Sequence, residues 1–464
     1  MPQNSRPVNR FVAAGSFGCV YAPPVRCDQV ESQNTVGKLF VKGRSDEQNQ
    51  RDFDEELESN DLMREINSQG EFSITDEGDC YISGTSLRED ERRSCAATGK
   101  DPEARSRTMR FLEDERPRIP QIIYKKGGIQ LNKVWMHDVP VTRFLADFQN
   151  IMEGLVKLND TGYAHADIKP ANVLYNTEKG RANLIDFGHL GSEDRLYADS
   201  IRHLALLGHH YPYYPPEFKV LFMFCMGISE TQVDTRILQK IPSDYLYALE
   251  EEFELHDGRT LDLPFTLNLK INTLYTRHDD RESRRIIDRL QKSIKALDGD
   301  LAPKYEAVLA RFHHDTRLDQ IKAFIDRSKE ELSFDTLAFT GLKLAKMEKL
   351  FLNERFGAKI DVYSIGVCLM ELVYDYLIPV FLGVNVSTTQ KISKETHEIL
   401  VALLYIISGM VCPDPFMRLE AREARDLYFE LVHAMHRKKS NDKERKNILE
   451  NIEIYMRDRI PLTP

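Results

Sequence analysis

The chain has 464 residues, a formal net charge of −10 and 42% hydrophobic residues, which is ordinary globular usage and enough to bury one or two cores. This composition excludes disordered, collagen-like and coiled-coil proteins. The net negative charge argues against a protein that mainly coats nucleic acid or an anionic membrane, and we expect no specific nucleic-acid binding. The longest apolar stretch, residues 399–411, is shorter than the ~20 residues that span a bilayer, so no membrane span is expected.

The seven cysteines are scattered, and no two of them form a Cys-x-x-Cys pair. Neither a disulfide framework nor a zinc site is therefore predicted. The first residues carry no apolar run that could act as a signal peptide, so we expect the protein to be made and kept in the reducing cytosol or nucleus.

The first informative segment consists of two strand-like stretches around a turn of small residues. Backbone N–H groups can approach phosphate oxygens closely where side chains are small or missing. The pattern predicts a phosphate-binding β-hairpin, although a hairpin without a ligand would have the same local sequence. The residues of this loop are Ala13, Ala14, Gly15, Ser16, Phe17 and Gly18, and Val20 is expected to return beneath a nucleotide base.

A second strand, residues 35–41, holds one cation, Lys38. A lysine inside such a strand is costly unless its ammonium group meets anions. At ~4 Å and an effective dielectric constant of ~20, each anionic partner would contribute ~4 kcal/mol of attraction before desolvation. We therefore expect Lys38 to bind carboxylates or phosphates.

The acidic segment 51–67 has helical periodicity and follows this strand. Its Leu62 and Ile66 are expected to mark the buried face. On that basis Glu58 is the predicted partner of Lys38. The competing candidates are Glu55 and Glu56.

The strongest pattern is His-x-Asp-x-Lys-x-x-Asn within residues 162–174. At typical residue usage it would arise by chance in on the order of one in a thousand chains of this length. Its members are His165, Asp167, Lys169 and Asn172. Fourteen residues later an apolar strand ends at Asp186, which is followed by Phe187 and Gly188.

Phosphoryl transfer from a nucleotide needs few protein groups: a carboxylate for the acceptor hydroxyl, oxygen ligands for Mg²⁺, and cations near the phosphates. Asp167 supplies the first, Asn172 and Asp186 supply the second, and Lys38 and Lys169 supply the third. Two ligand side chains are sufficient because Mg²⁺ keeps several waters.

Taken in order, these motifs resemble those of eukaryotic-type protein kinases. The match continues through Pro215-Pro216-Glu217, residues 361–366 and residues 414–418. The resemblance implies an α+β, bilobal kinase-like fold, with a β-rich small lobe and a mainly helical large lobe that carries a long helical insertion. It also implies ATP and Mg²⁺ as cofactors and protein substrates. Lys169 is typical of kinases that act on serine and threonine.

The same resemblance implies three structural roles outside the catalytic motif. Glu217 and Arg418 should form a buried ion pair, and Asp361 should accept backbone N–H groups of the catalytic loop. Ile122 is expected to guard the back of the adenine site. Residues 123–126 are the expected hinge, whose backbone groups would bind the adenine base of the nucleotide. Ile123 and Lys125 are the residues expected to make these contacts.

Two positions depart from the family pattern. Ala13 replaces the first glycine of the phosphate loop. Ala166 replaces the arginine that usually precedes the catalytic aspartate and binds an activation-segment phosphate. Activity should therefore depend less on phosphorylation of the activation segment, where the candidates are Ser192, Tyr197 and Ser200.

The predicted organisation is a small lobe over residues 1–125, a large lobe over 126–435 and a basic tail over 436–464. The small lobe is expected to contain an exposed, charged insertion at about 86–118. A second, helical insertion at about 220–357 should form a core of its own, with substrate docking or regulation as the alternative.

A narrower resemblance links short segments of the chain to kinases of large nucleocytoplasmic DNA viruses. They are residues 36–40, 121–124 and 214–217, together with the long insertion. This resemblance implies a host-cytoplasm location and packaging into virions. A pseudokinase scaffold and a small-molecule kinase of related fold are the alternative functions, and the sequence leaves the substrate and the oligomeric state undetermined.

Overall fold

The computed structural model describes the following residues: 10–15, 18–25, 34–43, 45–99, 101–116, 118–137, 139–193, 195–196, 213–215, 217, 292–297, 299–312, 316, 320, 323–324, 327, 349–350, 352–382, 392–437 and 442–461. Ser16, Phe17, Tyr197, Ser200 and most of the 220–357 insertion lie outside them. The chain divides into two compact units. The first comprises residues 1–129 and 172–190, and the second comprises 130–171 and 191–464.

The strands are β1 (Arg10–Ala14), β2 (Gly18–Ala22), β3 (Thr35–Phe40), β4 (Asp76–Ile82), β5 (Ile119–Lys125), β6 (Ile129–Gln130), β7 (Tyr163–Ala164), β8 (Val173–Asn176), β9 (Arg181–Leu184) and β10 (Gly191–Ser192). The α-helices in the described ranges are α1 (Asp46–Ile66), α2 (Glu89–Ala96), α3 (Pro102–Leu112), α4 (Val141–Asp147), α5 (Gln149–Asp160), α6 (Leu301–Leu309), α7 (Ile360–Leu382), α8 (Lys394–Met410), α9 (Ala421–His436) and α10 (Asp442–Arg459).

A five-stranded antiparallel sheet in the order β1-β2-β3-β5-β4 forms the body of the first unit. Lys38 on β3 pairs with Val20 on β2 and with Ile122 on β5. The β8–β9 hairpin also belongs to this unit, because Leu184 exchanges backbone hydrogen bonds with Phe72 and Ile74. Sequence reasoning assigned this hairpin to the large lobe.

Helix α1 begins at the N-cap Ser45, whose side chain accepts a hydrogen bond from the Gln48 N–H. Such a cap satisfies one of the backbone donors that a helix leaves without a partner. The buried positions of the helix are Asn49, Phe53, Glu56, Asn60 and Met63. They recur every three or four residues, as expected for one helix face. Leu62 and Ile66, the predicted buried face, are half-buried instead.

The charged segment 86–118 is folded onto the sheet, contrary to the expected exposed insertion. It contains helices α2 and α3. Leu87, Cys95 and Leu112 share a buried core cluster with Leu39 of β3. Most charged residues of the segment face solvent. A few buried apolar residues are sufficient to pack both helices against the sheet.

A disulfide joins Cys19 on β2 to Cys95 on α2, across 76 residues. Cys80 on β4 is disulfide-bonded as well. The expectation of no disulfides is therefore wrong for the first unit, because cysteines that are distant in sequence become neighbours when α2 packs on the sheet. Structural disulfides are rare in reducing compartments, so this finding also weighs against the expected cytosolic environment.

The second unit is mainly helical. Helix α8 is its central element, since every residue from 397 to 410 is buried. Helices α7, α9 and α10 all contact α8, and α9 also packs on α5. No helix in the described part of the chain is long and apolar enough to cross a membrane.

Part of the expected basic tail is a packed helix. Helix α10 buries Leu449, Ile452 and Met456. Among its cations, Arg445 forms an ion pair with Glu398 of α8 at 2.8 Å. At least this part of the tail is therefore committed to the second unit.

Residues 299–312 are the longest described segment within the expected helical insertion, and they also pack into the second unit. The guanidinium of buried Arg311 donates to Ser408 Oγ at 3.0 Å, to the Met456 carbonyl at 2.9 Å and to the Ile460 carbonyl at 2.6 Å. Arg311 thus ties residues 299–312 to two backbone carbonyls at the end of α10.

Candidate active site

Lys38 lies at the centre of a charged cluster in the first unit. Its Nζ donates to both carboxylate oxygens of Glu56, at 2.7 and 2.5 Å, and to Asp186 Oδ1 at 2.9 Å. Glu56 is only 2% exposed, whereas Glu58 is exposed on the opposite side of α1. The predicted Lys38–Glu58 pair is therefore wrong, and Glu56 is the partner.

In this cluster the carboxylates of Glu56 and Asp186 both contact the ammonium group of Lys38. Burial alone would lower the pKa of Lys38, but Asp186 and Glu56 together raise it above the ordinary lysine value. Burial raises the pKa of the Glu56 carboxyl, while Lys38 acts in the opposite direction. The Asp186 side chain is 31% exposed, and a carboxylate oxygen is a ligand type that Mg²⁺ prefers.

Tyr124 on β5 completes the cluster. Its hydroxyl donates to Glu56 Oε1 at 2.6 Å, and the Asn60 side-chain amide donates to the Tyr124 hydroxyl at 3.1 Å. Sequence reasoning placed Tyr124 in the expected hinge, residues 123–126, and not in this charged cluster. A usable signal was the two-residue period of the strand, since Tyr124 shares a face of β5 with Ile122, the residue that pairs with Lys38.

The two candidate metal ligands lie on adjoining chain segments. Asn172 precedes β8, and its carbonyl accepts a hydrogen bond from the N–H of Ile185, the residue before Asp186. The side chain of Asn172 is buried, and Asp186 has a positive φ of 67°. Such a backbone angle is uncommon outside glycine and is often found at functional sites. An amide and a carboxylate oxygen fit the ligands that Mg²⁺ prefers.

The predicted phosphate loop is the β1–β2 turn. The Gly15 N–H donates to the Gly18 carbonyl at 3.0 Å, and Lys42 Nζ donates to the Gly15 carbonyl at 2.8 Å. A Cβ at position 18 would lie 1.6 Å from the Leu39 carbonyl oxygen, so only glycine fits there. Ala13 and Ala14 belong to β1 and Val20 belongs to β2.

The first residues of the expected hinge belong to strand β5. Ile123 pairs with Gly37 on β3 and with Gly78 on β4, and it is fully buried. Its backbone is therefore committed to the interior of the sheet, contrary to its expected role at the base. Lys125 ends β5 and pairs with Thr35, beyond the last pair that β4 makes, which leaves its base-binding role a prediction.

The catalytic-loop motif lies in the second unit. Asp361 at the start of α7 accepts the His165 N–H at 2.6 Å and the Ala166 N–H at 3.0 Å, as the resemblance implied. Burial raises the pKa of the Asp361 carboxyl, against these hydrogen bonds. Lys169 Nζ donates to Asp167 Oδ2 at 2.7 Å. The loop thus presents Asp167 with a cation beside it.

The predicted ion pair between Glu217 and Arg418 is present in the second unit. Arg418 donates to both oxygens of Glu217, at 2.5 and 2.7 Å, and both side chains are fully buried. The Nε of Arg418 donates to the Cys412 carbonyl at 2.9 Å. This pair links the Pro-Glu segment to the residues that follow α8.

Comparison with known proteins gives a short similarity to a kinase-like sequence. No family model matches the chain. Over 47 residues, 10% of the chain, the sequence is 40% identical to a probable serine/threonine-protein kinase of Dictyostelium discoideum. The match covers 5% of that protein's length, so the similarity is limited to a short stretch of a kinase-like sequence.

Proposed function

We propose that the chain is a serine/threonine protein kinase that uses ATP and Mg²⁺. The observation that carries this proposal is the meeting of Lys38, Glu56 and Asp186. Lys38 on β3 is held by the carboxylate of Glu56 on α1. It also contacts the carboxylate of Asp186, which follows β9 and lies 148 residues further along the chain. A solvated surface lysine would need neither the buried Glu56 nor the half-buried Asp186 as a partner.

The proposed reaction breaks the bond between the γ-phosphorus of ATP and its bridging oxygen and forms a bond to a serine or threonine hydroxyl oxygen. Asp167 receives the hydroxyl proton, and ADP leaves. Lys38 and Lys169 offset phosphate charge, and Asn172 and Asp186 hold Mg²⁺. The hydrogen bonds of Asp361 to the catalytic loop support this assignment, because they fix the backbone amides of His165 and Ala166, directly before Asp167.

The source and location of the protein stay predictions. The resemblance to kinases of large nucleocytoplasmic DNA viruses suggests the host cytoplasm and the virion. The disulfide between Cys19 and Cys95 favours an oxidising environment over the cytoplasm for at least part of the protein's lifetime. The proposed substrates are proteins. Imaging of the tagged protein in cells would show in which compartment it lies.

The test is a phosphoryl-transfer assay with radiolabelled ATP, Mg²⁺ and general acceptor proteins, using chain purified free of host kinases. Asp167→Asn should lower turnover about 10²- to 10⁴-fold, the usual contribution of a general base. Asp160→Asn is the matched control, because Asp160 is an exposed aspartate paired with Arg422. Acid hydrolysis of the product should yield phosphoserine or phosphothreonine.

Equal turnover by Asp167→Asn and the parent would overturn the catalytic assignment. Nucleotide binding without any transfer by the parent would favour the pseudokinase alternative. Removal of Mg²⁺ with a chelator should abolish transfer, and restoring Mg²⁺ should recover it.

A further inference from the structure

Helix α1 is attached to the sheet by a hydroxyl that the proposed reaction does not itself use. The Tyr124 hydroxyl donates to Glu56 Oε1 at 2.6 Å. The Asn60 amide, one helical turn beyond Glu56, donates to the same hydroxyl at 3.1 Å and to the Glu56 carbonyl at 2.8 Å. Tyr124 therefore contacts two successive buried positions of α1 from β5.

The arrangement fixes the Glu56 carboxylate from two strands at once. Lys38 approaches it from β3, and Tyr124 approaches it from β5. Glu56 is 2% exposed, so water cannot readily replace a missing hydrogen bond. Hydrogen bonds to a buried charged group are among the stronger ones, and they also fix its direction.

We propose that Tyr124 is a positioning residue: its hydroxyl holds Glu56 of α1 against Lys38, so that the phosphate-binding lysine is already aligned before a nucleotide arrives. This inference rests on the proposed kinase function. It assigns the alignment of α1 to a contact within the chain's first unit.

The test compares two Tyr→Phe variants that each remove a single hydroxyl contacting α1. Tyr124→Phe removes the buried contact with Glu56. Tyr81→Phe is the matched control, because Tyr81 on β4 is 44% exposed and its hydroxyl contacts Gln50 near the start of the same helix. Both variants keep the aromatic ring, so packing changes little.

We expect Tyr124→Phe to lower kcat/KM for ATP about tenfold, the size expected for one hydrogen bond to a charged group, while Tyr81→Phe keeps the parental value. A double-mutant cycle with Glu56→Gln separates alignment from general stability. If Tyr124 acts through Glu56, Tyr124→Phe should add less than a twofold loss in the Glu56→Gln background. Parental kinetics for Tyr124→Phe, or a full tenfold loss in both backgrounds, would overturn the inference.

Hydrogen exchange measured by mass spectrometry on the full chain gives a readout that needs no catalysis. Amides of α1 around Glu56 and Asn60 should exchange faster in Tyr124→Phe than in the parent and in Tyr81→Phe. Unchanged exchange would overturn the attachment of α1 by Tyr124 even if the parent is an active kinase. An inactive parent with faster exchange in Tyr124→Phe would instead overturn the kinase function and keep the attachment.

Discussion

Arg418 and Glu217 meet through two hydrogen bonds in a site from which solvent is fully excluded, although 201 residues separate them in the sequence. Taking two charges out of water is costly, and only close contact with satisfied hydrogen bonds offsets that cost. The pair therefore tolerates the loss of neither partner.

Glu217→Gln should destabilise the chain by about 3–5 kcal/mol, because it leaves the buried Arg418 guanidinium without its counter-charge. Urea unfolding followed by circular dichroism measures this change. The control is Asp160→Asn, which breaks the exposed pair with Arg422 and should cost at most ~1 kcal/mol. Equal unfolding midpoints for the two variants would contradict the importance of the buried pair.

Lys38→Met should reduce kcat/KM for ATP by about 10²- to 10³-fold, since it removes a cation aimed at the proposed phosphate site. The measurement is the steady-state transfer assay at saturating acceptor protein. Lys179→Met, in the exposed β8–β9 turn, is the matched control and should have parental kinetics. If Lys38→Met retained more than a third of the parental value, Lys38 would not be a phosphate anchor.

Ala166 has a φ of 59°, a left-handed conformation that costs an alanine roughly 1–2 kcal/mol and a glycine little. Ala166→Gly should therefore stabilise the second unit by about 0.5–1 kcal/mol and keep phosphoryl transfer near the parental level. Thermal unfolding gives the stability. Ala164→Gly, in the extended strand β7, should change the free energy of unfolding in the opposite direction and destabilise the second unit by about 0.5–1 kcal/mol.

The Cys19–Cys95 disulfide closes a loop across a sequence separation of 76 residues, for which the chain-entropy model gives about 4.5 kcal/mol of stabilisation. Reduction with dithiothreitol should thus lower the unfolding midpoint of the first unit. The Cys95→Ser variant should have an unfolding midpoint below that of the oxidised parent, and reductant should not lower it much further. Free-thiol titration of the unfolded parent would refute the bond if both cysteines reacted without reduction.

Linear motifs were sufficient to predict several relationships of the fold and candidate site. Spacing and residue type, together with the kinase resemblance, predicted that Lys38 meets anionic groups, that Asp361 accepts N–H groups of the 165–166 backbone, and that Glu217 pairs with Arg418. These predictions succeeded because each group lies in a short segment whose chemistry is distinctive without knowledge of its neighbours. The antiparallel sheet followed by helices was predictable for the same reason.

Other relationships depended on contacts that no local pattern contains. Sequence reasoning chose Glu58 as the partner of Lys38, but each helical residue turns by about 100°, so Glu58 points about 200° away from Glu56. The rotation of α1 about its axis is set by how Phe53 and Met63 pack, and local acidity says nothing about it.

The sequence by itself determined which chemical groups the protein carries and in what order: a strand lysine, a loop aspartate, an amide, and a carboxylate before glycine. Only the tertiary structure decided which of these groups touch. It selected Glu56 over its neighbours, brought Tyr124 onto that carboxylate, and joined Cys19 to Cys95. The physical reason is that burial and hydrogen-bond partners arise from packing between elements distant in the chain, whereas residue type and spacing are local.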